Sequence, residues 1–176
     1  MTNILLTGRP GIGKTTLVEK VINTIGKEKF GGFLTQEIRK DGKRVGFSIK
    51  TLEGSYGILA HIDFKSSLTV GAYKVNLKAL DEIGVKAVEK AMREGKIVVI
   101  DEIGKMELYS NSFKEVVLRA LDYGKLIATM TLSPHTFTSV IKRRRDVEIV
   151  EITAENRDRV VGELERKVKL YFYTHG

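Results

Sequence analysis

Eight residues near the start of the chain carry the clearest chemical pattern in the sequence. Gly8–Thr15 reads G-x-x-x-x-G-K-T, the spacing of a phosphate-binding P-loop. Glycines let the backbone curl so that successive N–H groups point at one anion. Lys14 can then reach the β- and γ-phosphates, and the Thr15 hydroxyl can bind Mg²⁺. The residues predicted to bind the nucleotide here are Gly8, Arg9, Pro10, Gly11, Ile12, Gly13, Lys14, Thr15 and Thr16.

A second chemical pattern follows the apolar run Ile97–Ile100, which is typical of a buried parallel strand. The next two residues, Asp101 and Glu102, resemble a Walker B motif. Asp101 is predicted to orient Mg²⁺ through water. Glu102 is the candidate general base, and with Lys14 it completes the predicted catalytic pair. The further residues predicted to lie at the nucleotide are Val99, Ile100, Ile103, Gly104, Lys105 and Met106.

Other readings of these residues remain open. The acids after the strand are also compatible with a solvated turn, and Lys105 with an ordinary exposed lysine. Asp101–Gly104 also fits D-x-x-G, but the sequence contains no N-K-x-D element for reading guanine. A base-selective switch is therefore disfavoured, and the preferred base stays undetermined.

Phosphoryl transfer gains much from an arginine, and the sequence does not choose among its candidates. These are Arg39, Arg143, Arg144 and Arg157. Glu37 and Arg39 alternate along one predicted strand face, and either flank the nucleotide or pair across the sheet, a structural pair being favoured. Thr129 and Thr131 either sense the γ-phosphate or satisfy local hydrogen bonds, as buried strand residues usually do.

Composition limits the class of protein. The chain of 176 residues is long enough for one domain spanning 1–176, and its hydrophobic fraction of 42% is that of a globular protein. No apolar stretch approaches the roughly 20 residues that cross a bilayer. Because the chain passes from Met1 almost directly into a strand pattern, we expect no signal peptide and a cytoplasmic location. With no cysteine and three scattered histidines, thiolate chemistry and a zinc site are disfavoured.

The net charge of +8 suits polyanionic ligands, either nucleotides or nucleic acid. The densest basic run, Lys142–Arg145, has no interleaved aromatic residues, and a solvated helix end is the favoured interpretation. Binding of nucleic acid is thus the less favoured prediction. We expect a monomer or a weak oligomer.

Strand and helix patterns alternate along the chain. The strand Asn3–Leu6, the Gly-rich loop and a helix ending near Gly26 form the setting that a P-loop requires. Residues 32–62 indicate an antiparallel meander with a D-G turn at Asp41. The rest predicts a mostly parallel α/β sheet with helices on both faces.

Several helix boundaries can also be predicted. Gly84 is expected to bend or break one helix. Ser112 is expected to open the next through a capping box, and Ser133 to cap a short one. The last helix is expected from about Thr153.

Taken together, these segments resemble the small P-loop nucleoside-triphosphatases of thermophiles, whose animal relative is called cancer-related nucleoside-triphosphatase. The resemblance rests on Leu6–Thr16, on GFLTQEIR at Gly32–Arg39 and above all on VIDEIGKMEL at Val99–Leu108. It implies a RecA-like α/β fold and Mg²⁺-dependent hydrolysis of ATP, GTP, CTP, UTP and TTP to diphosphates. Arg9 stands where a smaller or apolar residue is expected, and either contacts phosphate or points to solvent.

Three functions are therefore compared. The leading hypothesis is a nucleoside-triphosphate hydrolase in which Glu102 activates water. The second is a nucleoside or small-molecule kinase, which would use Lys142–Arg145 in a lid over an acceptor. The third is a regulatory ATPase that associates with nucleic acid through the basic surface.

Overall fold

Nine strands form a single sheet in the part of the chain that the computed structural model describes, residues 1–175. The strands are β1 (Asn3–Thr7), β2 (Phe30–Lys40), β3 (Lys43–Thr51), β4 (Tyr56–His61), β5 (Thr69–Val70), β6 (Tyr73–Val75), β7 (Ile97–Ile103), β8 (Leu126–Met130) and β9 (Val147–Glu151). Their order across the sheet is β5-β6-β4-β3-β2-β7-β8-β1-β9.

One half of the sheet is parallel. Strands β2, β7, β8, β1 and β9 pair in parallel, and Phe33, Ile100, Ala128 and Leu5 lie level with one another across the first four. All of these strands therefore end at the same edge, which is where open α/β sheets bind ligands. The Gly-rich loop after β1 and the acids of β7 meet there.

The predicted antiparallel meander continues this same sheet through β2. The first residues of β2 pair with β7 from Phe30 to Phe33, and the rest pairs with β3 from Phe33 to Lys40. The D-G turn is confirmed, with φ of 50° at Asp41 and 75° at Gly42. Because β2 is 11 residues long, its second part projects beyond β7 as a hairpin.

Helices cover both faces, as predicted. They are α1 (Lys14–Ile25), α2 (Leu77–Ala79), α3 (Lys86–Arg93), α4 (Asn111–Tyr123), α5 (Thr136–Lys142) and α6 (Arg157–His175). Leu17 of α1 and Leu164 of α6 share one core with Val99. The opposite face is covered by α3 and α4, where Phe113 belongs to a core with Ile100. The α/β architecture is therefore confirmed.

Two predicted helix starts are wrong. Helix α4 begins before the expected capping box, because the Ser110 hydroxyl accepts a hydrogen bond from the Phe113 N–H at 2.9 Å; Ser112 lies inside the helix. Helix α5 is capped by His135, whose Nδ1 accepts from the Phe137 N–H at 3.1 Å, and not by Ser133.

The last helix also begins later than about Thr153. Thr153 and Asn156 exchange hydrogen bonds between backbone N–H groups and side-chain oxygens at 2.8 and 3.3 Å, and α6 then begins at Arg157. Gly84, which was expected to bend or break the helix, lies within a π-helical segment, Leu80–Val85, so the chain stays helical there with a different winding. Strand β7 runs on to Ile103 and includes both acids.

We predict that Gly32→Ala is strongly destabilising. Gly32 has φ of 113°, and a Cβ there would lie 2.0 Å from the Val99 carbonyl oxygen of β7. The two strands would have to separate, so the free energy of unfolding should fall by more than about 3 kcal/mol in urea titration. Gly54→Ala is the matched control, since Gly54 has φ of 104° and nothing within 4 Å of its Cβ position. It should cost only the backbone strain of about 1–2 kcal/mol; equal losses would contradict the prediction.

Candidate active site

A cavity of about 620 Å³ lies where the Gly-rich loop, the end of β7 and the β2–β3 hairpin meet. Ten of the residues predicted from sequence line it: Pro10, Gly11, Gly13, Lys14, Thr15, Thr16, Asp101, Glu102, Lys105 and Met106. The two motifs, whose residues Thr15 and Asp101 are 86 positions apart in the chain, are therefore brought together around one space.

The remaining predicted residues lie beside this cavity, and within residues 1–175 they do not line it: Gly8, Arg9, Ile12, Val99, Ile100, Ile103 and Gly104. Val99, Ile100 and Ile103 are buried in the core, where they hold the acids of β7 in position. Arg9 is exposed, which agrees with the solvent alternative for this residue.

The loop itself has the geometry of an anion-binding turn. Its glycines adopt positive φ, including 101° at Gly13, which immediately precedes α1. Lys14 Nζ donates to the carbonyl oxygens of Gly8 at 3.0 Å and Arg9 at 3.3 Å, so the ammonium lies within the curl of the loop. The first N–H groups of α1, beginning at Lys14, have no acceptor within their own helix and face the loop.

Asp101 is the buried centre of the site, with 2% of its surface exposed. One carboxylate oxygen accepts from the Thr15 hydroxyl at 2.7 Å and from the Thr35 N–H at 3.4 Å, and the other accepts from the Thr129 hydroxyl. Burial raises the pKa of Asp101, while these hydrogen bonds and the Lys14 charge oppose the rise. Thr129 therefore has the local hydrogen bond that strand residues usually make.

The contact between Thr15 and Asp101 fits a magnesium site. Mg²⁺ prefers oxygen ligands and is commonly held by one or two protein groups together with water and phosphate oxygens. A hydroxyl and a carboxylate oxygen already lie 2.7 Å apart here. Residues 1–175 contain no cluster of three or more acids, histidines or cysteines that could enclose a metal alone.

Glu102 follows Asp101 directly and is partly exposed to the cavity. Burial raises the pKa of its carboxyl group, the neighbouring Asp101 carboxylate raises it further, and Lys14 opposes both. A carboxylate with a raised pKa accepts a proton more readily than a carboxylate with the ordinary pKa of an exposed glutamate. The position therefore suits a general base.

Glu107 also lines the cavity, and no sequence pattern predicted it as a functional residue. A Cβ on Gly104 would lie 2.6 Å from Glu102 Oε1 and 2.9 Å from Glu107 Oε2, so both carboxyl groups crowd that glycine. Burial, followed by the Glu102 charge, raises the pKa of Glu107 to about 8. The sequence signal that could have marked Glu107 is its place in VIDEIGKMEL, the segment that carries the resemblance. In the structure, a turn closed by the hydrogen bond from the Leu108 N–H to the Gly104 carbonyl oxygen returns the chain to the acids.

The structure separates the four arginines considered from sequence. Arg157 lies against the loop, with Nη1 3.4 Å from the Ile12 carbonyl oxygen. Arg39 pairs with Glu37 on its own strand at 2.6 Å, whereas the partner of Glu37 across the sheet is Arg44. Arg144 pairs with Asp146 at the edge where the parallel strands begin, and Arg143 precedes it as the C-cap of α5. These last two are remote from the cavity.

The second threonine considered, Thr131, lines the cavity, and its hydroxyl oxygen accepts from the Ser133 N–H at 3.1 Å. Several residues that were not assigned to the nucleotide site from sequence also line it, and two of them, Arg44 and Phe47, belong to β3. They come from the strand after the D-G turn, where no motif marked them.

Comparison with known proteins agrees with this geometry. A family model described as NTPase matches residues 3–165. The chain belongs to this NTPase family.

Several NTPase-family relatives are similar over nearly their whole length. Nucleoside-triphosphatase THEP1 of Thermotoga sp. (strain RQ2) is 49% identical, with 92% of each chain covered. The crystal structure of THEP1 from Aquifex aeolicus superposes with a TM-score of 0.85 at 36% identity, covering 92% of this chain and 96% of the other. The solution structure of a human cancer-related nucleoside triphosphatase superposes with a TM-score of 0.78 at 29% identity, covering 96% of this chain and 97% of the other. The resemblance seen in the sequence is confirmed.

None of the helices within residues 1–175 is both long enough and apolar enough to cross a membrane.

We predict that Glu107→Gln removes part of the pH dependence of stability. The folded chain keeps a proton on Glu107 up to a pKa of about 8, whereas the ordinary pKa of a glutamate side chain is 4.5. The stabilisation from this proton is fully present below the ordinary pKa, which applies to the unfolded chain, and is lost as pH rises through the pKa of the folded chain. Between these two pKa values, this group lowers the free energy of unfolding by at most about 1.4 kcal/mol per pH unit.

Urea unfolding at about pH 5.5 and about pH 8, which lie within this window, should therefore show the variant gaining stability relative to the original chain as pH rises. Glu115→Gln, on the exposed side of α4, makes the same chemical change at the surface and should leave the pH dependence unaltered. Equal pH dependence in the Glu107 variant and the original chain would contradict the assignment.

Proposed function

We propose that this member of the NTPase family is a Mg²⁺-dependent hydrolase that converts nucleoside triphosphates to diphosphates and phosphate. The observation that carries the proposal is the contact between Thr15 and Asp101, with Glu102 beside it in the same cavity. It joins a phosphate-binding loop to a carboxylate suited to activating water. The names of the relatives, nucleoside-triphosphatases, point to the same activity.

The loop N–H groups and Lys14 bind the triphosphate and hold its γ-phosphorus towards Glu102. The Glu102 carboxylate accepts a proton from water as the water oxygen bonds to that phosphorus. The bond from the γ-phosphorus to the β–γ bridging oxygen breaks, and the diphosphate leaves with that oxygen. Thr15 and Asp101 would hold Mg²⁺, which when bound neutralises charge on the phosphates.

We also propose broad tolerance of the base among ATP, GTP, CTP, UTP and TTP. The loop backbone and Lys14 address the triphosphate, which all five share. The sequence contains no N-K-x-D element that would read guanine. Discrimination of the order seen in base-reading sites needs hydrogen bonds to the base edge.

Neither alternative function gains support from a particular contact. The kinase hypothesis placed Lys142–Arg145 in a lid, but Arg144 is tied to Asp122 and Asp146 at the edge where the parallel strands begin. The same ion pairs occupy part of the basic run that nucleic acid would use. Cytoplasmic location and a monomeric or weakly oligomeric state stay predictions.

We predict that Glu102→Gln lowers the rate of phosphate release by about 10²–10⁴-fold, since an amide cannot accept the proton from water. Nucleotide affinity should be nearly unchanged, because the loop is intact. Phosphate release and binding of a fluorescent nucleotide measure the two effects separately. Glu115→Gln is the matched control on the exposed face of α4. Unchanged turnover in the Glu102 variant would remove this residue from the mechanism.

We predict that chelation of Mg²⁺ with EDTA stops phosphate release from all five triphosphates, and that added Mg²⁺ restores it. With Mg²⁺ present, kcat/KM should differ by less than about a hundredfold among the five, as expected without base-edge recognition. A side-by-side release assay tests both statements. Activity that persists in EDTA, or that is confined to one base, would contradict the corresponding part of the proposal.

A further inference from the structure

Arg44 is a cation that lines the cavity and has no role in the reaction proposed above. Among residues 1–175, the basic side chains that line the cavity are Lys14, Lys105 and Arg44. Arg44 is the arginine among them, and it comes from β3 on the projecting hairpin rather than from the loop or from β7. None of the four arginines considered from sequence lines the cavity within residues 1–175; Arg157 lies against the loop at Ile12, and the other three lie elsewhere.

The guanidinium of Arg44 is held in a defined direction. Its Nη1 donates to Glu37 Oε1 at 2.8 Å and its Nε donates to the Tyr73 hydroxyl at 2.9 Å. The guanidinium carbon lies 5.1 Å from the centre of the Phe47 ring and 5.5 Å from that of Tyr73. A guanidinium has five N–H groups, and among the described residues only these two contacts use them.

The hairpin brings this group to the same cavity as the proposed magnesium pair, Thr15 and Asp101. Thr35 of β2 donates its N–H to Asp101 at 3.4 Å. Glu37 is two residues further along the same strand, about 7 Å away by strand geometry, and it lines the cavity while binding Arg44. A long arginine side chain anchored there can reach a phosphate bound next to Asp101.

A purely structural role does not account for this arrangement. The side chains of Arg44 and Glu37 are 42% and 38% exposed, and ion pairs at that exposure contribute little to stability. The remaining N–H groups form the planar fork that matches two phosphate oxygens. Arg39 already supplies Glu37 with a cation at 2.6 Å.

We propose that Arg44 binds the γ-phosphate and neutralises the charge that builds on it as the bond to the diphosphate breaks. This inference rests on the proposed hydrolysis and assigns the arginine that phosphoryl transfer commonly uses. Arg44 exchanges no proton; the proton from water goes to Glu102. The contribution is to the transition state more than to the binding of a diphosphate.

Arg44→Gln and Arg39→Gln form a matched pair of variants, since each removes one arginine from Glu37 and only Arg44 lines the cavity. Steady-state phosphate release, ADP affinity and the affinity for ADP with Mg²⁺ and aluminium fluoride should be measured for both. Aluminium fluoride stands in for the transferring phosphoryl group.

We expect Arg44→Gln to lower kcat by about 10³-fold and to weaken the aluminium fluoride complex by a similar factor, with ADP affinity nearly unchanged. Arg39→Gln should alter each quantity only slightly. Arg44→Lys keeps the charge without the planar fork and should give an intermediate kcat. If the Arg44→Gln variant fails to fold, the kcat of Arg44→Lys is compared with that of the original chain instead.

Three results would overturn the assignment. One is a loss of kcat in Arg44→Gln no greater than in Arg39→Gln, and another is full activity in Arg44→Lys. The third is an equal loss of affinity for ADP and for the aluminium fluoride complex. The original chain tests the proposed function separately: if it releases no phosphate, both proposals fail. If it is active and inactivated by Glu102→Gln while Arg44→Gln is active, only the Arg44 assignment fails.

Discussion

The buried carboxylate of Asp101 is the interaction on which the rest of the site depends. It receives hydrogen bonds from Thr15 of α1, Thr35 of β2 and Thr129 of β8, so one side chain of β7 ties together three other elements. A buried carboxylate is costly unless its oxygens are satisfied. The phosphate-binding loop, the projecting hairpin and the parallel strands are therefore held in one relative position by the requirement to satisfy this group.

Strand β2 makes that convergence geometrically feasible. Near Gly32 it approaches β7 so closely that a Cβ would meet the Val99 carbonyl oxygen. Beyond Phe33 it leaves β7 and pairs only with β3, forming the wall that carries Glu37 and Arg44. The parallel half of the sheet thus supplies the loop and the acids, and the antiparallel half supplies the wall that faces them.

The charges of the cavity are graded by burial. The acids Asp101, Glu102 and Glu107 lie at its base, where desolvation raises the pKa of each. The cations Lys14 and Arg44 are held by hydrogen bonds at the loop and the hairpin. The net charge of +8 favours the approach of polyanions.

Local chemistry was sufficient to predict the parts of the site that are contiguous in the chain. The G-x-x-x-x-G-K-T spacing predicted the loop from Gly8 to Thr15, and an apolar strand followed by two acids predicted Asp101 and Glu102, because both patterns follow from backbone geometry over a few residues. The turn at Asp41 was predictable for the same reason. The starts of α4 and α5 were not, because Ser110 and His135 capped the helices in place of the expected serines.

The tertiary structure alone decided which distant side chains join the site. Arg44 reaches the cavity because a hairpin register places it beside Glu37, and Glu107 does so because a turn brings it back against Gly104. Neither position is set by spacing along the chain, since each depends on how far one element projects past another. The sequence by itself determined the phosphate-binding loop and its acidic partner, whereas packing determined the positions of Glu107 and Arg44.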